Sequence, residues 1–113
     1  MEKQEYSMYE IITMTPGMAW EVLCYEIKKQ CPDMELIENI LKHSNIDVNQ
    51  KNSDGSTALI RASDWGHTEV VRLLLEHPEI RVNVQDKDGN TAIIWALTWR
   101  HTEIVQLLKE HSK

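Results

Sequence analysis

The sequence is poor in the residues that mark several familiar classes of protein. It has 113 residues, with no phenylalanine, two cysteines and four glycines. Cys24 and Cys31 are too few for a disulfide framework and lack the pairing of a zinc site, so we expect two reduced thiols in a cytosolic protein. The glycines stand singly, at positions 17, 55, 66 and 89, and therefore form no phosphate-binding loop.

Long apolar runs and an excess of basic side chains are also missing. No apolar segment approaches the roughly 20 residues of a membrane helix, and the polar N-terminus lacks a signal-peptide core. The net charge is −6, and residues 1–47 alone carry nine acidic and four basic side chains. We therefore expect no binding to nucleic acid or to a membrane.

The acidic surface of the N-terminal third has two interpretations. Its members are Glu21, Glu26, Asp33, Glu35 and Glu38. Charged faces on the outer units of a protein usually serve solubility, which is the simpler interpretation. Recognition of a basic partner is the alternative.

What the sequence does contain is an internal repeat. Residues 54–77 recur at 88–111, which is 34 residues further on, and 15 of the 24 aligned positions are identical. A period of this length indicates stacked supersecondary units. The pattern predicts that Thr57 caps a short helix that ends at Ala62.

The turn and the second helix of the repeat follow from the next residues. Gly66 is expected to adopt a left-handed conformation in the turn, as Gly55 is in the preceding tight turn. His67 or Thr68 is expected to cap the second helix, which runs to His77 before Pro78 stops it. Each copy is therefore predicted to be a helix–turn–helix unit.

This repeat resembles the ankyrin repeat. The residues that carry the resemblance are Gly55, Thr57, Leu59, Ala62, Gly66, His67, Val70, Val71, Leu73, Leu74 and Leu75. The resemblance implies an all-α solenoid of stacked helix–turn–helix units with β-hairpin-like turns. It also implies a non-catalytic module for protein–protein interaction, with no cofactor.

We interpret the whole chain, 1–113, as one ankyrin-repeat domain in four parts. These are an N-terminal arm or helix (1–15), a divergent capping repeat (16–47), a repeat (48–81) and a C-terminal capping repeat (82–113). Residues 1–15 fit a loose arm or a short docking helix with Tyr6, Tyr9 and Ile12 on one face.

The divergent repeat has its own helix signals. Thr15 and Pro16 are an N-cap and a first helical residue, and the helix is expected to reach Gln30. Asp33 then starts the next helix.

The last repeat departs from its neighbour at two positions. Arg100 replaces the turn glycine, which costs about 1 kcal/mol if the backbone stays left-handed. Lys109 stands where the preceding repeat has Leu75, and terminal repeats need a polar outer face. We therefore interpret the last repeat as a C-terminal cap of a complete three-repeat protein.

Four tryptophans provide the candidate binding surface: Trp20, Trp65, Trp95 and Trp99. The ankyrin resemblance implies that Arg61, Asp64, Trp65, Trp95, Thr98 and Trp99 face a concave groove, and that Lys51, Ser53, Lys87 and Asn90 lie on the turn tips along its edge. Trp65 and Trp99 are expected to stack side by side. The alternative is that they only seal the seam between helix pairs, and Trp20 is assigned to the core.

No constellation of catalytic or metal-binding residues emerges. The five histidines recur at equivalent positions of neighbouring repeats, about 8–10 Å apart, which is too far for ligands of one zinc ion. Neither cysteine has a base or an oxyanion donor at a recognisable spacing. Asp86 and Asp88 are expected to be solvated turn residues.

The predicted function is therefore binding of another protein through the concave groove and the turn tips. The alternative is a structural protein that forms homo-oligomers through its aromatic patch. The linker from His77 to Asn83 resembles those of ankyrin arrays from intracellular bacteria, protists and large viruses. That resemblance implies a further role, as a secreted effector in the cytoplasm of a host cell.

Overall fold

The part of the chain that the structure describes folds into seven helices. A computed structural model describes residues 6–111, and within that range the chain forms helices and no strand. The helices are α1 (Met8–Thr13), α2 (Pro16–Lys28), α3 (Met34–His43), α4 (Ala58–Trp65), α5 (Thr68–Leu75), α6 (Ala92–Thr98) and α7 (Thr102–His111). No helix of this part of the chain is long and apolar enough to cross a bilayer.

The helices stack in two rows. The first row is α2, α4 and α6, and the second row is α1, α3, α5 and α7, with each helix packed against the next of its row. The rows meet through α2 with α3, α4 with α5, and α6 with α7. Between them lies an aliphatic core, whose most deeply buried members include Leu23, Ile27, Ile37, Ile40, Leu59, Val71, Leu74 and Ile104.

Side-chain caps set the starts of α2, α3 and α4 where the sequence predicts them, and Asp33 is the cap of α3. The hydroxyl of Thr15 accepts a hydrogen bond from Met18 N at 3.1 Å, with Pro16 as the first helical residue. The hydroxyl of Thr57 accepts from Ile60 N at 3.2 Å. A cap of this kind satisfies an amide that the first helical turn leaves without a partner, so it stabilises the helix by about 1 kcal/mol.

Other predicted helix bounds were wrong by two or three residues. α4 continues past Ala62 to Trp65, and α5 stops at Leu75, short of His77. His67 is the N-cap of α5 but makes no side-chain capping bond, and Thr68 is already helical. The observed ends differ from the predicted ones because packing partners, as well as local sequence signals, determine the last turn of each helix.

The segment before α2 is a docking helix within the described residues, while residues 1–5 of the predicted arm lie outside them. α1 packs on α3 and extends the second row by one helix. It buries Ile11 and Met14, whereas Tyr9 is 77% and Ile12 is 54% exposed. Of the predicted face, Tyr6 packs against the core, but the placement of Tyr9 and Ile12 was wrong, because docking on α3 buries the other side of the helix.

The turn between the helices of a repeat needs a left-handed residue. Gly66 has φ 77°, as predicted, and Arg100 at the equivalent place keeps the left-handed conformation, with φ 60°. At Gly66 an added Cβ would also lie 2.6 Å from the His101 ring, which contacts the Asp64 carbonyl at 3.2 Å. The ring of the next repeat therefore occupies the space that a side chain at 66 would need.

Arg100→Gly is expected to raise the free energy of unfolding by up to about 1 kcal/mol. The arginine holds a left-handed conformation that costs an L-residue about this much, and glycine adopts it freely. Urea denaturation of the two proteins measures the difference. Arg100→Ala is the control, since it removes the side chain but keeps the strain. A gain as large with alanine would show that charge, and not backbone strain, is the cause.

Lys109 is exposed, as expected for a polar outer face, but the neighbouring helix of the same repeat is not polar. On α6, Ile94 is 41% and Leu97 is 56% exposed. Their equivalents one repeat earlier, Ile60 and Ser63, are buried at 2% and 0%. In the last repeat, the helix of the second row therefore has a polar residue at this outer position. The helix of the first row, α6, leaves apolar side chains exposed.

Candidate partner-binding groove

The centre of the candidate site is a cation–aromatic pair on α4. The guanidinium carbon of Arg61 lies 5.2 Å from the ring centroid of Trp65, a separation typical of a cation–π interaction. The residues are four apart, so they lie on one side of the helix. The His67 ring packs edge-on against the indole of Trp65, with ring centroids 6.3 Å apart. Trp65 is thus held in place while 39% of it stays exposed.

A first cavity lies between α2 and α4 and has a volume of about 280 Å³. Its lining residues are Trp20, Glu21, Cys24, Tyr25, Ile27, Lys28, Asn52, Arg61 and Trp65. Trp20 is anchored at its far end, because its Nε1 donates to the carbonyl oxygen of Gln50 at 3.1 Å. The Nζ of Lys29 lies 5.1 Å from the centroid of the Tyr25 ring. The cavity therefore presents three aromatic rings, and each of them contacts a neighbouring polar or charged group.

A second cavity of about 210 Å³ lies beside the first, between α4, α6 and the turn tips. It is lined by Asp54, Ser56, Ile60, Arg61, Asp64, Asp86, Lys87, Asp88 and Trp95. Arg61 lines both cavities, so the two form one continuous surface. We call this surface, defined by the residues of the two cavities, the groove.

Asp86 organises the tip beside the second cavity. Its Oδ1 accepts from the amides of Asp88 and Asn90 at 3.0 and 2.9 Å, and its Oδ2 accepts from Trp95 Nε1 at 2.9 Å. Burial alone would raise the pKa of this carboxyl, but these hydrogen bonds outweigh it and lower the pKa below its usual value. The expectation that Asp86 is simply solvated was wrong.

Five of the predicted site residues share the groove: Arg61, Asp64, Trp65, Lys87 and Trp95. Lys51 and Lys87 also connect consecutive tips. The Nζ of Lys51 donates to the Gln85 carbonyl at 3.0 Å, and the Nζ of Lys87 lies 3.3 Å from the Asp54 carboxylate.

The remaining predicted residues are placed differently. Trp99 ends α6 and is 57% exposed, and within residues 6–111 it makes no ring contact with Trp65. The expected stacking of these two indoles is therefore absent. The Thr98 hydroxyl donates to the Ile94 carbonyl at 2.8 Å, Ser53 is exposed at its tip, and the amide of Asn90 bonds to Asp86.

Sequence reasoning missed the contribution of α2. Trp20 was assigned to the core, but it is only partly buried and lines the first cavity with Tyr25 and Lys28. A signal was present: Trp20, Cys24 and Lys28 recur every four residues and mark one side of a helix. The signal was not recognised because α2 lies outside the clear repeat. The sequence alone therefore did not indicate that this side of α2 faces Trp65.

The Cys24 thiol in the first cavity is not set up for nucleophilic chemistry. Burial raises its pKa from 9.0 to about 11, and the nearby charges of Arg61 and Lys28 only partly oppose that rise. Near neutral pH the group is therefore a thiol, whereas the thiolate is the reactive form. Among residues 6–111 no group of three or more His, Cys, Asp or Glu side chains is arranged to hold a metal ion.

Stacked helix–turn–helix units with a groove along one row define a repeat scaffold. The family profile "Ankyrin repeats (3 copies)" matches residues 23–113. The chain belongs to the ankyrin-repeat family, and the predicted all-α ankyrin fold is confirmed. Ankyrin repeats are generally protein–protein interaction modules and are typically non-catalytic. No curated protein matches the sequence.

Proposed function

We propose that this protein binds a partner protein in the groove, with Trp65 and Arg61 as the central anchors. The observation that carries the proposal is their placement. Both line the first cavity with Trp20 and Tyr25, and Arg61 also lines the second cavity. Tryptophan, tyrosine and arginine supply most of the binding energy at protein interfaces, particularly where they surround a pocket.

The turn tips are the second part of the proposed interface. Lys51, Ser53 and Lys87 are exposed, and Lys51 and Lys87 connect the tips of consecutive repeats. A partner would meet these side chains already held in position, which lowers the entropy lost on binding. The tips therefore set specificity, while the aromatic cavity supplies affinity.

Trp65→Ala is expected to weaken partner binding by about tenfold or more, as the loss of a central tryptophan does at other interfaces. A displayed library of random 12-residue peptides is selected on the wild-type protein, and the binders are titrated against both proteins. Circular dichroism shows whether the variant keeps its helices. The large exposed fraction of Trp65 favours an intact fold.

Trp99→Ala is the matched control. It removes the same side chain 34 residues further on, at the end of α6. We expect it to weaken binding less than Trp65→Ala, because among the described residues Trp99 has no ring contact with Trp65 and lines neither cavity. Binders that lose no affinity to either variant would place the binding surface elsewhere and contradict the proposal.

Self-association is the second candidate function. It is favoured by Ile94, Leu97 and Trp99, which leave an exposed apolar surface on and just after α6. Light scattering of wild type, of Leu97→Asp and of the double variant Trp65→Ala/Trp99→Ala tests it. A dimer that either variant converts to a monomer supports self-association, and a monomeric wild type removes it.

The place of action belongs to the same proposal. We infer a cytoplasmic protein from the two thiols at Cys24 and Cys31, which form no disulfide with each other. The resemblance of the linker from His77 to Asn83 to arrays of intracellular bacteria and viruses supports the cytoplasm of a host cell. Fluorescence microscopy of a tagged protein expressed in animal cells tests for a cytoplasmic location there. A secretion assay in bacteria tests whether the protein leaves the cell that makes it, as a role in a host cell requires.

A further inference from the structure

The groove holds two positive charges, those of Arg61 and Lys28, that have no carboxylate partner in the part of the chain that the structure describes. Within residues 6–111 neither Arg61 nor Lys28 forms an ion pair or a side-chain hydrogen bond. Other basic side chains do have carboxylate partners, such as Arg72 with Glu69 and Glu103. Exposed basic residues elsewhere, such as Arg81, also form no ion pair within these residues. What distinguishes Arg61 and Lys28 is that both line the first cavity, beside its aromatic rings.

The position of Arg61 restricts what can cover it. Its side chain is half-buried against Trp65 and faces both cavities. Any partner that fills the groove therefore removes water from the guanidinium. A buried guanidinium whose donors lack acceptors is strongly unfavourable, whereas a carboxylate satisfies two donors at once in a bidentate pair.

The other charges of the groove decide where such a carboxylate fits. The first cavity contains one acidic residue, the exposed Glu21, against Arg61 and Lys28. The second cavity contains Asp54, Asp64, Asp86 and Asp88 against Arg61 and Lys87. An acidic group is therefore attracted to the first cavity and repelled from the turn tips.

Resting on the proposed function, we propose that the partner segment is aromatic or aliphatic with an adjacent acidic residue. Its apolar side chain fills the first cavity against Trp20, Tyr25 and Trp65, and its carboxylate binds Arg61 with Lys28 beside it. This assignment runs against the net charge of −6, which by itself favours a basic partner. The charges close to the cavity determine which partner is favoured, because at physiological salt surface charges interact over only about 8 Å.

The test begins with peptides from the displayed random library that depend on Trp65. These are expected to be enriched in aspartate or glutamate next to an aromatic or aliphatic residue. The best of them is synthesised in three forms, with the acidic residue, with its amide and with lysine. Replacing the acid by the amide is expected to weaken binding to wild type by about tenfold. The same replacement should change binding to Arg61→Met by less than about twofold, because the guanidinium that pairs with the acidic residue is gone.

Charge reversal and a matched variant complete the design. The lysine form is expected to bind Arg61→Glu more tightly than it binds wild type. Arg81→Met removes one positive charge from an exposed residue outside the groove and should leave all three affinities within about twofold. Arg61→Met keeps the aliphatic stem, so circular dichroism and thermal unfolding are expected to match wild type.

The two proposals fail in different ways. Trp65-dependent peptides without acidic enrichment, or an acid-to-amide loss that is the same in wild type and Arg61→Met, would overturn the acidic partner while groove binding stands. A library that yields no Trp65-dependent binder counts against groove binding itself, and the acidic partner falls with it.

Discussion

Gly55→Ala is expected to lower the free energy of unfolding by about 3 kcal/mol, the largest effect of any single change considered for this fold. Gly55 has φ 76°, which an L-residue adopts at a cost. In addition, a Cβ at this position would lie 2.8 Å from Lys87 N in the next tip. That amide donates to the Asp54 carbonyl at 3.1 Å, so the contact cannot widen without loss of a hydrogen bond between repeats.

Gly89→Ala separates the free-energy cost of backbone strain from the cost of a steric clash. Gly89 has φ 81°, and an added Cβ there meets nothing within 4 Å. Its substitution should therefore cost only the backbone term, about 1 kcal/mol. Urea denaturation of the two variants gives the difference. Equal losses would mean that the tips at 55 and 87 are not packed together as the structure shows.

Glu26→Ala is expected to lower the free energy of unfolding by about 2 kcal/mol. This carboxylate is 5% exposed and joins α2 to the start of α3. Its Oε1 accepts from the amide of Asp33 at 2.9 Å, and its Oε2 accepts from Lys29 Nζ at 2.7 Å. Asp33 in turn caps α3 through Leu36 N, so the loss reaches the helix start.

Glu21→Ala is the control for that measurement. It removes the same charge from the same helix, but at an exposed position, and should change stability by less than about 0.5 kcal/mol. Glu26→Gln keeps an acceptor for the Asp33 amide and is expected to fall between the two alanine variants. Losses of similar size at positions 21 and 26 would show that net charge, and not the buried hydrogen bonds, is responsible.

Glu26 shows where interpretation of the sequence stopped short. It was grouped with the acidic surface of the N-terminal third, for which solubility was the simpler interpretation. The hydrogen bond to Asp33 spans seven residues and forms only because the chain reverses after Lys28. No pattern within a single helix contains that information.

The repeat was predictable because its signals are local. The hydroxyl of Thr57 caps α4, and Gly66 takes the left-handed turn at no steric cost. Thr91, at the equivalent place of the next repeat, makes no side-chain capping bond. These effects act within a few residues, so each could be stated before the structure was known.

The groove was predictable only in part. Arg61 and Trp65 lie four residues apart on one helix, and their contact follows from helical geometry. Trp20 was assigned to the core because its helix is outside the clear repeat. Trp65 and Trp99 occupy equivalent places in neighbouring units, which packing separates by about 8–10 Å, beyond the 4.5–7 Å of aromatic contacts. Their stacking was therefore a poor prediction even on simple geometry.

The sequence by itself determined the repeat, its caps and turns, and the ankyrin family, because these depend on interactions between residues close in the chain. Only the tertiary structure decided which side chains of different units share a cavity. Trp65 shares one with Trp20 and Tyr25, and within residues 6–111 Arg61 and Lys28 form no ion pair there. Such groupings depend on the offset and rotation of one helix pair on the next, which the packing of the whole aliphatic core sets.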